Sequence, residues 1–213
     1  MVFSGRPMEL RPVLSYADAI IQCWFLGTEV GTALADILFG RYTPSGRLSM
    51  SFPQTMGQVS VYYNHYQTGR PNLGTGERCV SRYLDCPNEP LFPFGYGLSY
   101  SEYQYSDLRV EEQEDGVLID VQVINISKTP GLETVQCYVR DLAGSVVRPV
   151  MELKDFCQVW LEPGECRRLT FHLSRDQLRF HNDRLEFVFE PGEFEFMVGH
   201  SSAEVLKQTL TLC

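Results

Sequence analysis

Pro87-Asn88-Glu89-Pro90-Leu91-Phe92-Pro93-Phe94-Gly95-Tyr96-Gly97-Leu98-Ser99-Tyr100 packs four aromatic residues, three prolines and two glycines into fourteen positions. Proline at that density removes too many backbone donors for a helix or a regular strand. The segment therefore reads as irregular and rigid, with its rings packed against something. Composition changes around it, so it reads as a tightly packed junction between two domains.

The charge count supports a boundary at this place. Residues 1–98 carry seven Lys/Arg against seven Asp/Glu, and the remainder carries eleven against twenty, which accounts for the whole net charge of -9. That sign argues against nucleic acid and anionic membrane as partners. No apolar run approaches the roughly 20 residues of a membrane span. The opening Met1-Val2-Phe3-Ser4-Gly5-Arg6-Pro7 has no signal-peptide pattern and reads as the end of a β-strand entering a turn, so the chain is expected to begin inside a domain. Seven cysteines stand singly, at Cys23, Cys79, Cys86, Cys137, Cys157, Cys166 and Cys213. None forms a CxxC pair, zinc-site spacing is absent, and the pattern suits reduced structural thiols in a cytoplasmic protein. No metal and no cofactor are expected.

Working back from the junction, residues 18–25 form an apolar run of the length of a buried strand. From Glu29 to Phe39, Val30, Ala33, Leu34, Ile37 and Leu38 recur at helical spacing, with Thr28 placed to cap the start and Gly40 the end. A turn at 43–46 leads to a strand over Arg47–Phe52. Strand, helix, strand implies one parallel crossover of an α/β layer, too little for an independent domain. Residues 67–79 read as a polar, glycine-containing loop of the kind that borders sites.

Working forward, the period becomes two. Val117, Ile119, Val121 and Val123 form one inward row, followed by Val135, Cys137 and Val139, by Leu169, Phe171 and Leu173, by Leu185, Phe187 and Phe189, and by Phe194, Phe196 and Val198. Turn signals such as Glu162-Pro163-Gly164 and Glu190-Pro191-Gly192 separate the runs. About seven short strands with one apolar face each specify a β-sandwich. No helix of convincing length is expected after residue 100. Trp24 and Trp160 both lie in apolar strand contexts, which gives no support to a sugar-stacking row of exposed aromatics.

The junction, in Asn88-Glu89-Pro90-Leu91-Phe92-Pro93-Phe94-Gly95-Tyr96-Gly97-Leu98-Ser99-Tyr100, resembles bacterial β-glucosidases of glycoside hydrolase family 3. Similar stretches follow in the family's order, among them Ala35-Asp36-Ile37-Leu38-Phe39-Gly40, Pro44-Ser45-Gly46-Arg47-Leu48, Tyr62-Tyr63-Asn64-His65, Ser81-Arg82-Tyr83-Leu84-Asp85 and Val139-Arg140-Asp141. The resemblance implies a mixed fold: residues 1–86 as the C-terminal part of an α/β sandwich, 87–102 as the junction, and 103–213 as a fibronectin type III-like domain. It also implies a retaining glycosidase whose (β/α)8-like barrel lies outside this sequence. Retention needs two carboxyl groups about 5–5.5 Å apart. The family's nucleophilic Asp and its acid/base Glu fall outside the matched stretches, so no catalytic residue is assigned here. A carbohydrate substrate belongs to the full-length enzyme, and a partner chain carrying the barrel is one way to complete it. The family's Pro-Gly-x-Glu-Gly-Gly turn appears as Leu26-Gly27-Thr28-Glu29-Val30-Gly31.

Three side chains are candidates for substrate contact. His65 follows two tyrosines and an asparagine, a cluster able to bond sugar hydroxyls or to cement a domain interface. Arg82 and Asp85 flank Tyr83-Leu84, where they could form an ion pair that pins the loop or meet a sugar beyond the cleaved bond. Glu29 is read as complementing the helix dipole and not as a catalytic acid. Asn125-Ile126-Ser127 fits a glycosylation acceptor pattern but lies inside a strand pattern. The alternative function is a non-catalytic sandwich module that binds carbohydrate or protein.

Overall fold

The computed structural model describes residues 1–72 and 78–213, so the middle of the expected 67–79 loop lies outside the described residues. Strand β1 (Val2–Phe3) pairs in parallel with β2 (Ile21–Gln22), and Gly5 N–H donates to the Trp24 carbonyl (2.8 Å) to close the turn that follows. The run over 18–25 thus supplies only two paired residues; a sheet edge with one short neighbour cannot hold a longer ladder. Helix α1 spans Val30–Leu38. Glu29, not Thr28, occupies its N-cap position, and its carboxylate accepts from the Thr32 hydroxyl (3.1 Å). Gly40 ends the helix at φ +71°, where the Gly40 N–H reaches the Ile37 carbonyl (3.0 Å) and the Arg41 N–H reaches Asp36 (2.8 Å). This is a Schellman ending, with the left-handed residue that glycine adopts without a Cβ penalty. No residue of α1 is buried.

The strand expected over Arg47–Phe52 does not form. That segment instead makes isolated bonds to the junction: Leu48 N–H to the Tyr96 carbonyl (2.8 Å), Gly95 N–H to Leu48 (2.7 Å) and Phe52 N–H to Phe92 (2.8 Å). The alternation there is real, but the chain it pairs with is too rich in proline to carry a ladder. The parallel crossover is consequently not completed among the described residues.

After the junction come β3 (Tyr103–Gln113), β4 (Gly116–Asn125), β5 (Gly131–Asp141), β6 (Glu152–Leu161), β7 (Cys166–Ser174), the single-turn α2 (Arg175–Leu178), β8 (Phe180–His181), β9 (Phe187–Val188), β10 (Gly192–Gly199) and β11 (Val205–Leu212). They form a sandwich of a four-stranded sheet, β11-β10-β5-β6, and a three-stranded sheet, β3-β4-β7. The inward rows behave as their period requires: Val117, Ile119, Val121 and Val123 are fully buried against Val135, Cys137, Phe196 and Val198. The run at 185–189 is the exception. Leu185 sits at a turn with φ +62° and is exposed, while Phe187 joins only the two-residue β8–β9 ladder. Asn125 is fully buried: its amide donates to the carbonyls of Thr129 (2.9 Å) and Leu161 (3.0 Å), and its oxygen accepts from the Ser127 hydroxyl (2.6 Å).

One strand departs from the one-faced pattern. In β5, Gln136 and Tyr138 are buried on the face opposite the core, because Tyr63 and Phe94 cover it. Tyr63 stacks on Phe94 (centroids 4.3 Å apart) and meets Tyr138 edge-on (5.8 Å). Gln136 donates its amide to the His200 carbonyl (2.6 Å) and accepts from the Tyr138 hydroxyl (2.5 Å). Gly95 lies so close that a Cβ there would stand 2.1 Å from the Gln136 oxygen, and its φ is +80°. The other tie is an ion pair between Arg47 and Glu133, the Glu133 side chain fully buried and that of Arg47 nearly so. Arg47 also donates to the Gly97 carbonyl (2.6 Å), and Glu133 accepts from the Tyr105 hydroxyl (2.6 Å). Burial first, then the neighbouring Glu133 charge, push the Tyr105 phenol well above its ordinary range.

Replacing Arg47 by Ala strands a buried carboxylate, and a loss of about 3–5 kcal/mol in urea-unfolding free energy is expected. The paired substitution Arg47→Met with Glu133→Leu should cost much less; equal losses would show that packing and not the charge matters. Residues 1–86 should also exchange their amides faster than 103–213, because α1 is uncovered and β1–β2 is two residues long. Uniform protection in a hydrogen-exchange measurement would contradict that.

Candidate functional site

Two concavities border the docked face. The first, of ≈ 460 Å³, is lined by Arg6, Met50, Ser51, Met56, Tyr62 and Phe94, among others. It is largely apolar, with Arg6 its one charged group among the described residues and no carboxylate in its wall. It can hold a ring or an aliphatic group, but it cannot perform chemistry that needs paired carboxyls.

The second, of ≈ 830 Å³, lies between the 67–71 segment and the loop that follows β5. Arg140 reaches across it to the Gln67 side-chain oxygen (3.2 Å). Asp141 and Arg148 stand in its wall, with Arg148 Nε 3.7 Å from Asp141 Oδ2 and both side chains largely buried. Arg148 also bonds Glu152 (2.9 Å) and lies over the Phe180 ring (4.3 Å). Burial pushes the Asp141 carboxyl above its ordinary value, against the Ala143 N–H and the Arg148 charge that favour its ionised form. The loop is strapped down by Glu190, whose carboxylate accepts from the Ser145 hydroxyl (2.5 Å) and N–H (2.8 Å), and those bonds hold it below the usual range. Among the described residues, no three His, Cys, Asp or Glu side chains gather as metal ligands.

The sequence candidates are not brought together. His65 is exposed; its ring Nδ1 lies 3.1 Å from the Tyr66 carbonyl, and its own carbonyl accepts from Val150 N–H (2.9 Å). The segment is thereby fastened to the sandwich, through a further bridge between Tyr66 and Pro149. Arg82 and Asp85 are exposed, and among the described residues no ion pair joins them. The loop is pinned by Asn88 instead: its amide donates to the Ser81 carbonyl (2.8 Å) and its oxygen accepts from Tyr83 N–H (3.1 Å). Gln58, almost fully buried, bonds the carbonyls of Pro87 (3.0 Å) and Asn88 (2.9 Å). These two amides were not singled out from the sequence. The only available signal was the position of Asn88 beside Pro87, and a buried Gln58 leaves no periodic trace.

Residues 1–100 match the glycosyl hydrolase family 3 C-terminal domain, and residues 133–202 match the fibronectin type III-like domain. The chain belongs to glycoside hydrolase family 3. It is 42% identical to the periplasmic beta-glucosidase of Salmonella typhimurium over 100% of its own length and 28% of that protein's. Its identity to thermostable beta-glucosidase B of Acetivibrio thermocellus is 37%, over 99% of this chain and 29% of the other. A crystal structure of a mutant beta-glucosidase from Listeria innocua in complex with laminaribiose superposes with a TM-score of 0.94 at 45% identity, covering 100% of this chain and 30% of that one. The chain thus spans less than a third of the length of these relatives. For this family 3 chain the likeness holds across both the α/β segment and the sandwich, so it bears out the mixed fold class expected from the sequence. The altered turn at Leu26–Gly31 still closes, with the Val30 N–H on the Gly27 carbonyl (3.3 Å).

The raised Asp141 pKa has a definite sign in stability. Above about pH 4 an unfolded aspartate is ionised while the buried one still holds its proton, so the native state binds more protons and stability falls as pH rises through that window. Asp141→Asn should remove that fall from a stability–pH profile measured by urea unfolding. An unchanged slope would show that Asp141 is not the group responsible.

Proposed function

We propose that these 213 residues are the C-terminal portion of a retaining β-glucosidase-type hydrolase, acting on terminal β-linked glucose or a related sugar of small glycosides. The observation that carries this reading is the likeness to beta-glucosidases over the whole chain at 45% identity, across only 30% of a relative's length. The division proposed is 1–86, 87–102 and 103–213. In this reading the chain supplies scaffold, and both carboxyl groups of the reaction come from the remaining portion. The apolar cavity beside Tyr62 contains no carboxylate among its described lining, which supports that assignment. His65, Arg82 and Asp85 are proposed as rim contacts, since all three are exposed.

The completing portion, in the same polypeptide or in a partner chain carrying the barrel, would cover α1 and the exposed Phe25, Leu26, Leu38 and Phe39. Cytoplasmic residence is proposed from seven unbridged cysteines; the periplasmic relative marks export as the competing assignment. No helix among the described residues is long and apolar enough to cross a membrane.

The isolated chain should not hydrolyse an aryl β-glucoside above the buffer rate, and mixing it with a separately produced barrel-bearing segment should restore turnover. Hydrolysis by the isolated chain would overturn the assignment of both carboxylates to the other portion. Failure of complementation by a barrel segment that itself folds would count against the scaffold role.

A further inference from the structure

The outer face of the four-stranded sheet is only half covered. Tyr63 and Phe94 roof Tyr138 and Met197, and Gln136 and Thr134 of the same face are buried too, whereas the β6 side of the face is open. There lies β6, the edge strand, whose outward residues are Phe156, Gln158 and Trp160, in register with Gln136, Thr134 and Leu132 of β5. The alternate residues Val159 and Leu161 are buried in the core, and Cys157 packs against it. Phe156 is 60% exposed and Trp160 46% exposed, the latter contrary to the setting its apolar strand context suggests. Two aromatic rings therefore stand in line on one pleated face, about 13 Å apart at the rise of an extended strand.

The Trp160 end of the row and its middle are held. The Trp160 indole N–H donates to Glu162 Oε1 (2.8 Å), which fixes the ring's orientation. Gln158 donates to the Thr134 hydroxyl (3.1 Å). The Phe156 N–H is bonded to Asp155 Oδ1 (2.8 Å). The nearby Lys154 is occupied by Glu152 (3.4 Å).

We propose that Phe156 and Trp160 form a binding row for a neutral, extended β-linked oligosaccharide. Aromatic faces carry negative charge and attract the polarised C–H face of a pyranose. The amide of Gln158 and the carboxylate of Glu162 supply partners for hydroxyls beside those faces. A monosaccharide cannot span both rings, whereas a straight β-linked chain presents successive sugar faces along a line. The bordering charges are negative, which disfavours a polyanion. A stable protein contact is disfavoured by size: the two rings leave about 200 Å² exposed, against about 800 Å² per partner in a standard interface. The inference goes beyond hydrolysis and does not depend on it.

The test uses the whole 213-residue chain, isotopically labelled, whose two tryptophans give two indole N–H resonances. Titration with cellohexaose should shift the Trp160 indole signal and leave that of Trp24 in place. Phe156→Ala, which keeps the reporter, should weaken binding at least about fivefold, and Trp160→Ala should abolish the remaining amide shifts on β6 while thermal unfolding stays unchanged. Absence of any shift at millimolar sugar overturns the proposal, as does an equal response to maltohexaose. A Trp160 signal that moves with protein concentration alone, together with a sedimentation dimer lost in Trp160→Ala, would assign the row to contact between copies of the chain.

Discussion

The buried pair between Arg47 and Glu133 decides how the two halves of this chain meet. Its guanidinium arrives from the irregular segment before the junction, its carboxylate from the central strand β5, and the Tyr105 hydroxyl that completes the carboxylate comes from the opposite sheet. Burying two charges is costly, and an apolar pair of similar volume would hold the halves as firmly. What the charges add is exclusivity. Glu133 is satisfied only when Arg47 is docked, so any other placement of the first region leaves an ionised group sealed in the core. The nearby contacts obey the same condition, because Gly95 approaches the Gln136 side chain at a distance no other residue permits.

That constraint explains why the halves are unequal. The sandwich has a continuous core and seven long strands, and its one unusual demand is a cover over β5. The first region satisfies that demand but not its own. Its helix presents Leu38, and the adjoining Phe25 and Phe39 stand largely in solvent. The chain spans under a third of the length of these relatives.

Most of the sandwich was legible because its strands bury one face, and burial on one face writes a period of two into the residues. The reading failed where that link breaks. Leu185–Phe189 alternates beside only the two-residue strand β8, and Arg47–Phe52 alternates beside a proline-rich partner that cannot donate a ladder. The second buried face of β5 was invisible for the converse reason: Gln136 is polar, and its partners, Gly95 and His200, lie 41 and 64 residues away. Sequence separation likewise hid the pin at Gln58, whose partners Pro87 and Asn88 lie 29 and 30 residues away. Identity as a family 3 chain was legible from the junction motif, while the placement of His65, Arg82 and Asp85 was not, since exposed side chains follow loops and loops follow tertiary contacts.

The buried Asn125 has a consequence for where such a chain could be made. Asn125-Ile126-Ser127 is formally an acceptor for an N-linked glycan, yet the amide nitrogen that would carry the sugar is spent on the carbonyls of Thr129 and Leu161. A folded molecule passing through a glycosylating compartment would offer that nitrogen to no enzyme. Modification could only precede folding, and a sugar attached at the end of β4 would then stop that strand from closing against the turn at Thr129. A host that decorates this sequon would therefore yield misfolded chains, and the unmodified fraction alone would reach the structure described above.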